Sequence, residues 1–466
     1  MVCRPPPSAY LLRSADAWHT GCVLRQAEER PGTGSGLGSR LVHAAWLDVP
    51  LYALCAGFAG LTAVASTLPA HRAWGAVAWV GYAVCALMAV GQTLLRRRPV
   101  LTGPTARAWL ALVAWLTTAA LPLVLLSMDR ARGRSGRAQE EVIVIEDAGR
   151  RLLETGTPYL DRSAIAALPE PLLGYVPYQP AMALFGVPRA LDPGAHWWSD
   201  ARVWFALVTA ALVAAGLRLL RRTAADPDAL VWAVQAVAVL PLATLTLATG
   251  GDDLPVLALC LFALALAATH RWGWAGATAG VAAALKLIAW PVALVLAVHA
   301  LTQRRIGRFG LFLVLPPVLT GLPAALVNPP ALVENVIAFP LGQGLVKSPA
   351  ASPLPGYLLA TAMPGGRGVA VALLLGAGAG MGLWLLLRPP RTAAAAAGTS
   401  AVGLLVATML LPATRFGYLL YPAALALWAP ALLLPWGASG PEIARPAPDI
   451  AQSDLTSRPG SRRQAE

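Results

Sequence analysis

The sequence predicts an all-α polytopic membrane protein, about 12 transmembrane segments with a large extracytoplasmic loop. Three observations carry that reading. The chain is 466 residues long, 57% hydrophobic and only 13% charged, with a mean hydropathy of +0.60. A soluble globule carries roughly 25% charge. The apolar runs are continuous rather than alternating, which excludes an outer-membrane barrel. The arginines cluster at the ends of those runs, where they orient helices and meet anionic lipid. The net charge of +13 is therefore a membrane feature, and no nucleic acid is implied.

Expected spans fall at approximately 46–68, 74–95, 107–127, 203–220, 229–248, 254–270, 273–286, 289–303, 309–327, 369–388, 397–412 and 417–437. Residues 46–127 would hold three N-terminal helices, 128–202 the loop with interfacial helices, and 203–437 the membrane core. Residues 1–45 and 438–466 are rich in Pro, Ser, Gly and Arg and read as disordered cytoplasmic tails. No apolar core follows a basic start, so a cleaved signal peptide is not expected. An upstream start codon would equally explain residues 1–40. Cys3, Cys22, Cys55, Cys85 and Cys260 have no metal or disulfide spacing. The last three lie in apolar runs and read as small packing residues.

The basic loops are Arg96–Arg98, Leu220–Arg222, His270–Arg271, Arg304–Arg308 and Arg388–Arg391, with the C-terminal tail. Placing them all inside requires the stretch Trp274–Leu301 to cross twice, turning near Lys286–Pro291. The segment Pro353–Met363 is too short to span and is expected to be re-entrant or superficial. The loop, the turn Gly250–Asp253, the segment Asn328–Ser352 and Arg415 then face outside. Arg130, Arg132, Arg134 and Arg137 also fall outside, against the charge rule, which long loops escape. No internal repeat of the transporter kind is evident.

Four groups could carry chemistry. The first is Glu140-Glu141-Val-Ile-Val-Ile-Glu146-Asp147. On a helix, Glu141, Ile145, Ala148 and Leu152 share one largely apolar face. A carboxylate there is partly desolvated, which raises its pKa toward the range of a general base. The plainer reading is a solvated helix with Glu146 and Arg150 as an ordinary i,i+4 pair. The second is TGTPY, ending at Tyr159, followed by GYVPYQP with Tyr175 and Tyr178; His196-Trp197-Trp198 closes the loop. These are candidate substrate contacts, or an interfacial aromatic belt.

The third group is Lys286 and Arg415, each in an otherwise apolar segment. Ionisable residues there are costly and functional by default. Two cations at one level suit a phosphate, although both could snorkel to the interface. The fourth is Asp252 and Asp253 after two glycines. They could hold a sugar hydroxyl or a divalent ion, or simply cap a helix. Two carboxylates are weak support for a metal. The chain has no Walker, GxGxxG or HExxH motif, so a nucleotide-consuming site has no support.

In order, these pieces resemble the GT-C superfamily of integral-membrane glycosyltransferases. They are most similar to the polyprenol-phosphate-mannose-dependent mannosyltransferases of glycosyltransferase family 87. The pieces are an acidic segment after a span, G-x-PY, YVPYQP, an AGxxxGxxxALK…WP stretch (Ala275–Pro291) and R-x-x-Y-L-L-Y-P (Arg415–Pro422). The resemblance implies a sugar-phosphate-polyprenol donor made inside and used outside. It implies a glycolipid, glycan or glycoprotein acceptor of the cell envelope, and a membrane-lipid setting. The catalytic carboxylate, usually an aspartate, is matched best by Glu141, with Glu140, Glu146 and Asp147 as alternatives. Arg415 and Lys286 would bind the donor phosphate, and Tyr418 would join the substrate contacts. The donor carries its own activation, so no cofactor or metal is required. A transporter or flippase for a lipid-linked or anionic substrate, and a non-catalytic scaffold, are the competing readings.

Overall fold

The computed structural model describes residues 36–95 and 99–434. The expected disordered tails fall mostly beyond these, as do Cys3, Cys22 and Arg96–Arg98. Among the described residues every regular element is helical, with one isolated bridge between Ala351 and Thr414.

Thirteen helices carry the architecture. The first three are α1 (Gly36–Ala65), α2 (Pro69–Leu94) and α3 (Pro104–Ala131). The loop helix α4 (Glu140–Thr155) follows, then α5 (Ala201–Arg222) and α6 (Pro227–Thr249). Next come α7 (Asp253–Ala268), α8 (Trp272–Leu285), α9 (Leu287–Thr302) and α10 (Ile306–Val327). The last are α11 (Gly366–Leu387), α12 (Ala393–Leu410) and α13 (Phe416–Leu432). Each of the twelve expected spans coincides with a helix. Eight of these helices are long and apolar enough to cross a membrane; α7, α8, α9 and α13 are shorter. The first helix starts at Gly36, earlier than the expected boundary at 46.

The short helices are central. Helix α7 has 16 residues and α8 has 14, about 24 and 21 Å at 1.5 Å per residue, less than the roughly 30 Å of a hydrocarbon core. Nearly all of α7 is buried, so its length is set by its protein neighbours. Gly276 and Gly280 let α8 lie directly on α10, since a Cβ at either would strike the Phe309 or Leu313 carbonyl. Cys55, Cys85 and Cys260 are buried free thiols, as packing residues should be.

The stretch Trp274–Leu301 does reverse. Helix α8 stops at Leu285, and Lys286 is extended (φ −153°, ψ 140°). At the far end, the rings of Trp272 and His299 are 5.2 Å apart, so α9 returns alongside α8. Backbone and side-chain contacts sort the connections into two ends. Gln303 donates to the Arg391 carbonyl, and His299 meets that of Pro390. Arg107, at the start of α3, pairs with Asp228, at the start of α6. The basic connections therefore share one end of the bundle. Loop 132–200, the Gly250–Asp253 turn, Lys286 and Arg415 share the other. The segment Pro353–Met363 contains only an eight-residue helix, Pro355–Ala362.

The arginines that strained the charge rule have acidic partners. Arg130 pairs with Glu146 and Asp200, while Arg132, Arg134 and Arg137 surround Asp129. The rule counts basic residues rather than net charge, so these arginines remain an exception of a long loop.

Candidate active site

Helix α4 brings acid to the membrane rim. Gln139 precedes it, and its backbone N–H donates to the Thr249 carbonyl at 2.8 Å, tying the helix start to the turn before α7. Acidic residues in a first turn are favoured by the positive end of the helix dipole; here they are Glu140 and Glu141. Gly156, in the left-handed conformation (φ +77°), ends the helix. The inner face packs on the short helix Pro180–Gly186. Gly149 and Gly186 meet backbone to backbone, so a Cβ on either would clash.

Three other segments converge on that first turn. The first is the Gly250–Asp253 turn, where Gly251 has φ +90°, a conformation other residues reach only with strain. The second is the α8–α9 break at Lys286. Gln179 from GYVPYQP donates its N–H to the Leu285 carbonyl at 3.1 Å, docking that motif onto the break. The third is the strand-like run before α13. The Thr414 carbonyl accepts from the Ser352 N–H and its own N–H donates to the Ala350 carbonyl, bracketing Ala351 and leaving Arg415 extended.

Together these segments enclose a cavity of about 430 Å³. Its polar end holds Glu140, Glu141, Asp252, Asp253, Lys286 and Arg415, with Tyr178 and Tyr418. Its other wall is apolar, built from Leu287, Ile288, Pro291, Leu374, Leu404 and Ala407 on the membrane helices. Tyr175 and Phe339, stacked at 4.1 Å, also line it.

Glu141 and Arg415, 274 residues apart, form an ion pair. Lys286 Nζ donates to Asp252 Oδ2 at 2.8 Å and to Asp253 Oδ1 at 2.6 Å. It also lies 5.3 Å from the Tyr178 ring and 5.8 Å from the Tyr418 ring. Burial works against the Lys286 ammonium, but the two aspartates outweigh it and raise its pKa. Burial raises the Asp252 carboxyl above its ordinary value, with Lys286 opposing. Lys286 thus occupies the place a divalent ion would take between the two aspartates.

Several expected site residues sit elsewhere. Glu146 does not reach the cavity and does not pair with Arg150. Its carboxylate is bound by Arg130 at 2.6 Å and by the Ala201 N–H at 3.1 Å, inside the loop. Asp147 points outward to Arg150. The tyrosines are not an interfacial belt. Tyr159 is buried, donating to the Tyr178 carbonyl at 2.8 Å without lining the cavity, whereas Tyr175 is buried and does line it. Trp197 and Trp198 are exposed as that belt requires. Asp252 caps no helix through its side chain.

Sequence reading missed two supports. Arg202 and Asp200 are fully buried and bound to each other, with Arg130 as third member. The arginine that broke the charge rule was the available signal. Glu334 accepts from the Tyr175 hydroxyl at 2.7 Å and from Arg162 at 3.0 Å, fixing the segment above the cavity. No spacing marked it.

Residues 175–412 match the model of Glycosyltransferase family 87. The chain belongs to that family. The order of motifs implied the same family. The family match includes Tyr175, Tyr178, Asp252, Asp253 and Lys286; Glu140, Glu141 and Arg415 lie outside it. Two solved structures are also similar. ArnT from Cupriavidus metallidurans bound to undecaprenyl phosphate shares 20% identity over 69% of this chain and 59% of that one, TM-score 0.43. ArnT in the apo state shares 18% over 70% and 59%, TM-score 0.42. The chain thus spans less than two thirds of the ArnT length. No curated protein matches it.

Proposed function

We propose that this family 87 enzyme transfers a sugar, mannose by family resemblance, from a polyprenyl-phosphate donor to a cell-envelope hydroxyl. The observation that carries the reading is the meeting of Glu141 and Arg415 at the polar end of a cavity whose other wall is membrane helix. A lipid-linked sugar phosphate needs that combination. Its chain lies against Leu287, Ile288 and Leu404, and its phosphate meets a guanidinium.

The acceptor oxygen attacks the anomeric carbon while Glu141 takes the hydroxyl proton. The bond from that carbon to the phosphate oxygen breaks on the opposite face, so the configuration inverts. Polyprenyl phosphate leaves with the bonding electrons. Negative charge grows on the phosphate, and Arg415, fixed beside it, stabilises it. Donor phosphate binding at Arg415 also competes with Glu141 for the guanidinium, which frees the carboxylate to act as base. Glu140 lines the same cavity and is the reserve candidate. The described basic connections lie at the far end of the bundle, and the positive-inside rule then favours an extracytoplasmic cavity.

The test is reconstitution in vesicles with mannosyl-phosphoundecaprenol and a panel of envelope acceptors. Sugar transfer that Arg415→Ala abolishes in folded protein supports the reading. Passage of the donor across the bilayer with no sugar transferred would support a flippase instead.

A further inference from the structure

We propose that Asp252 and Asp253 form the subsite for a pair of hydroxyls on the transferred sugar, with Lys286 holding them in place rather than binding phosphate. The proposal rests on the donor reading above and assigns the parts of that one cavity.

Lys286 was the second cation expected at the phosphate. Its surroundings oppose that role. Two carboxylates lie within 2.8 Å of Nζ and two tyrosine rings flank it. With both acids ionised the cluster carries net negative charge, so an approaching phosphate meets like charge at contact distance. Arg415 is the opposite case. One nitrogen pairs with Glu141, while Nε and Nη2 donate to nothing among the described residues.

The aspartates have acceptors to offer. Asp252 uses Oδ2 for Lys286, and Asp253 uses Oδ1 for Lys286 and for the Tyr421 hydroxyl at 2.9 Å. Among the described residues Asp253 Oδ2 accepts no hydrogen bond, and the Tyr178 hydroxyl lies against the Asp252 carboxylate. Both residues are more than nine-tenths buried, and both line the cavity. Asp253 Oδ2, unpaired among the described residues, is not sealed from the cavity, so it can accept from a ligand. A sugar hydroxyl supplies the donor, and Tyr178 and Tyr418 supply flat faces for its ring. The cavity therefore divides by polarity of demand: spare donors at Arg415 for phosphate, spare acceptors at the aspartates for hydroxyls.

The test compares two ligands on full-length protein in lipid nanodiscs: undecaprenyl phosphate, which has no sugar, and mannosyl-phosphoundecaprenol. Asp252→Asn and Asp253→Asn keep side-chain size and are made separately, so a folding failure in one leaves the other. Each is expected to weaken the sugar-loaded donor about tenfold and leave undecaprenyl phosphate unchanged or tighter. Donors lacking single hydroxyls should bind wild type as weakly as the variants do. The subsite is overturned if each substitution changes both ligands by the same factor. Failure of the donor reading itself looks different: wild type would not bind undecaprenyl phosphate, or Arg415→Ala would bind it as well as wild type.

Discussion

Two arginines at opposite ends of the bundle show how a fully paired charge differs from one with donors to spare. At the basic end, Arg107 uses every guanidinium nitrogen. Nε and Nη2 donate to Asp48 at 2.6 and 3.0 Å, and Nη1 donates to Asp228 at 2.9 Å. Gln235 adds a bond to Asp48 at 2.8 Å. The arginine is 1% exposed and lies outside the cavity described above. At the loop end, Arg415 has one carboxylate partner, its side chain is 34% exposed, and it faces 430 Å³ of open space. Both residues are isolated arginines near the ends of apolar segments. Only the unused donors and the adjoining cavity separate them.

Substitutions should sharpen the contrast, beginning with the largest. Arg107→Ala leaves Asp48 buried without its charge partner, which typically costs about 3–5 kcal/mol. Thermal unfolding in detergent should show a much less stable protein whose folded fraction still transfers sugar. Arg415→Ala should do the reverse, lowering transfer about 10²–10³-fold with little change in melting. A result in which both variants lose stability and activity together would erase the distinction. Gly251→Ala comes next. Forcing a side chain to φ +90° costs about 1–3 kcal/mol, and the strain falls beside Asp252, so stability and donor KM should both suffer. Arg150→Ala should be the smallest change. That exposed pair with Asp147 contributes at most about 1 kcal/mol, and transfer rates should match wild type.

The helices were legible because hydropathy reports them directly. Even the reversal at Lys286 followed from charge placement alone. The convergence of Glu141 with Arg415, and of the GYVPYQP motif with the α8–α9 break, depends on contacts between segments far apart in sequence. The order of motifs could anticipate them but local pattern could not. Pairing was the least legible feature. Lys286 looked like a lone cation because Asp252 and Asp253 are 34 and 33 residues away. Glu146 looked like a partner for Arg150 because helical spacing permits it, yet the half-buried Arg130 claims it. Side-chain partners in a membrane core are set by which helices touch, and nothing in a local window encodes that.

The most direct measurement of the central claim is single-turnover transfer by Glu141→Gln, alongside its affinity for undecaprenyl phosphate. The account predicts a rate about 10²–10⁴-fold below wild type with phosphate binding retained, because Arg415 then has no competing carboxylate. A variant that transfers sugar at the wild-type rate would show that the proton goes elsewhere.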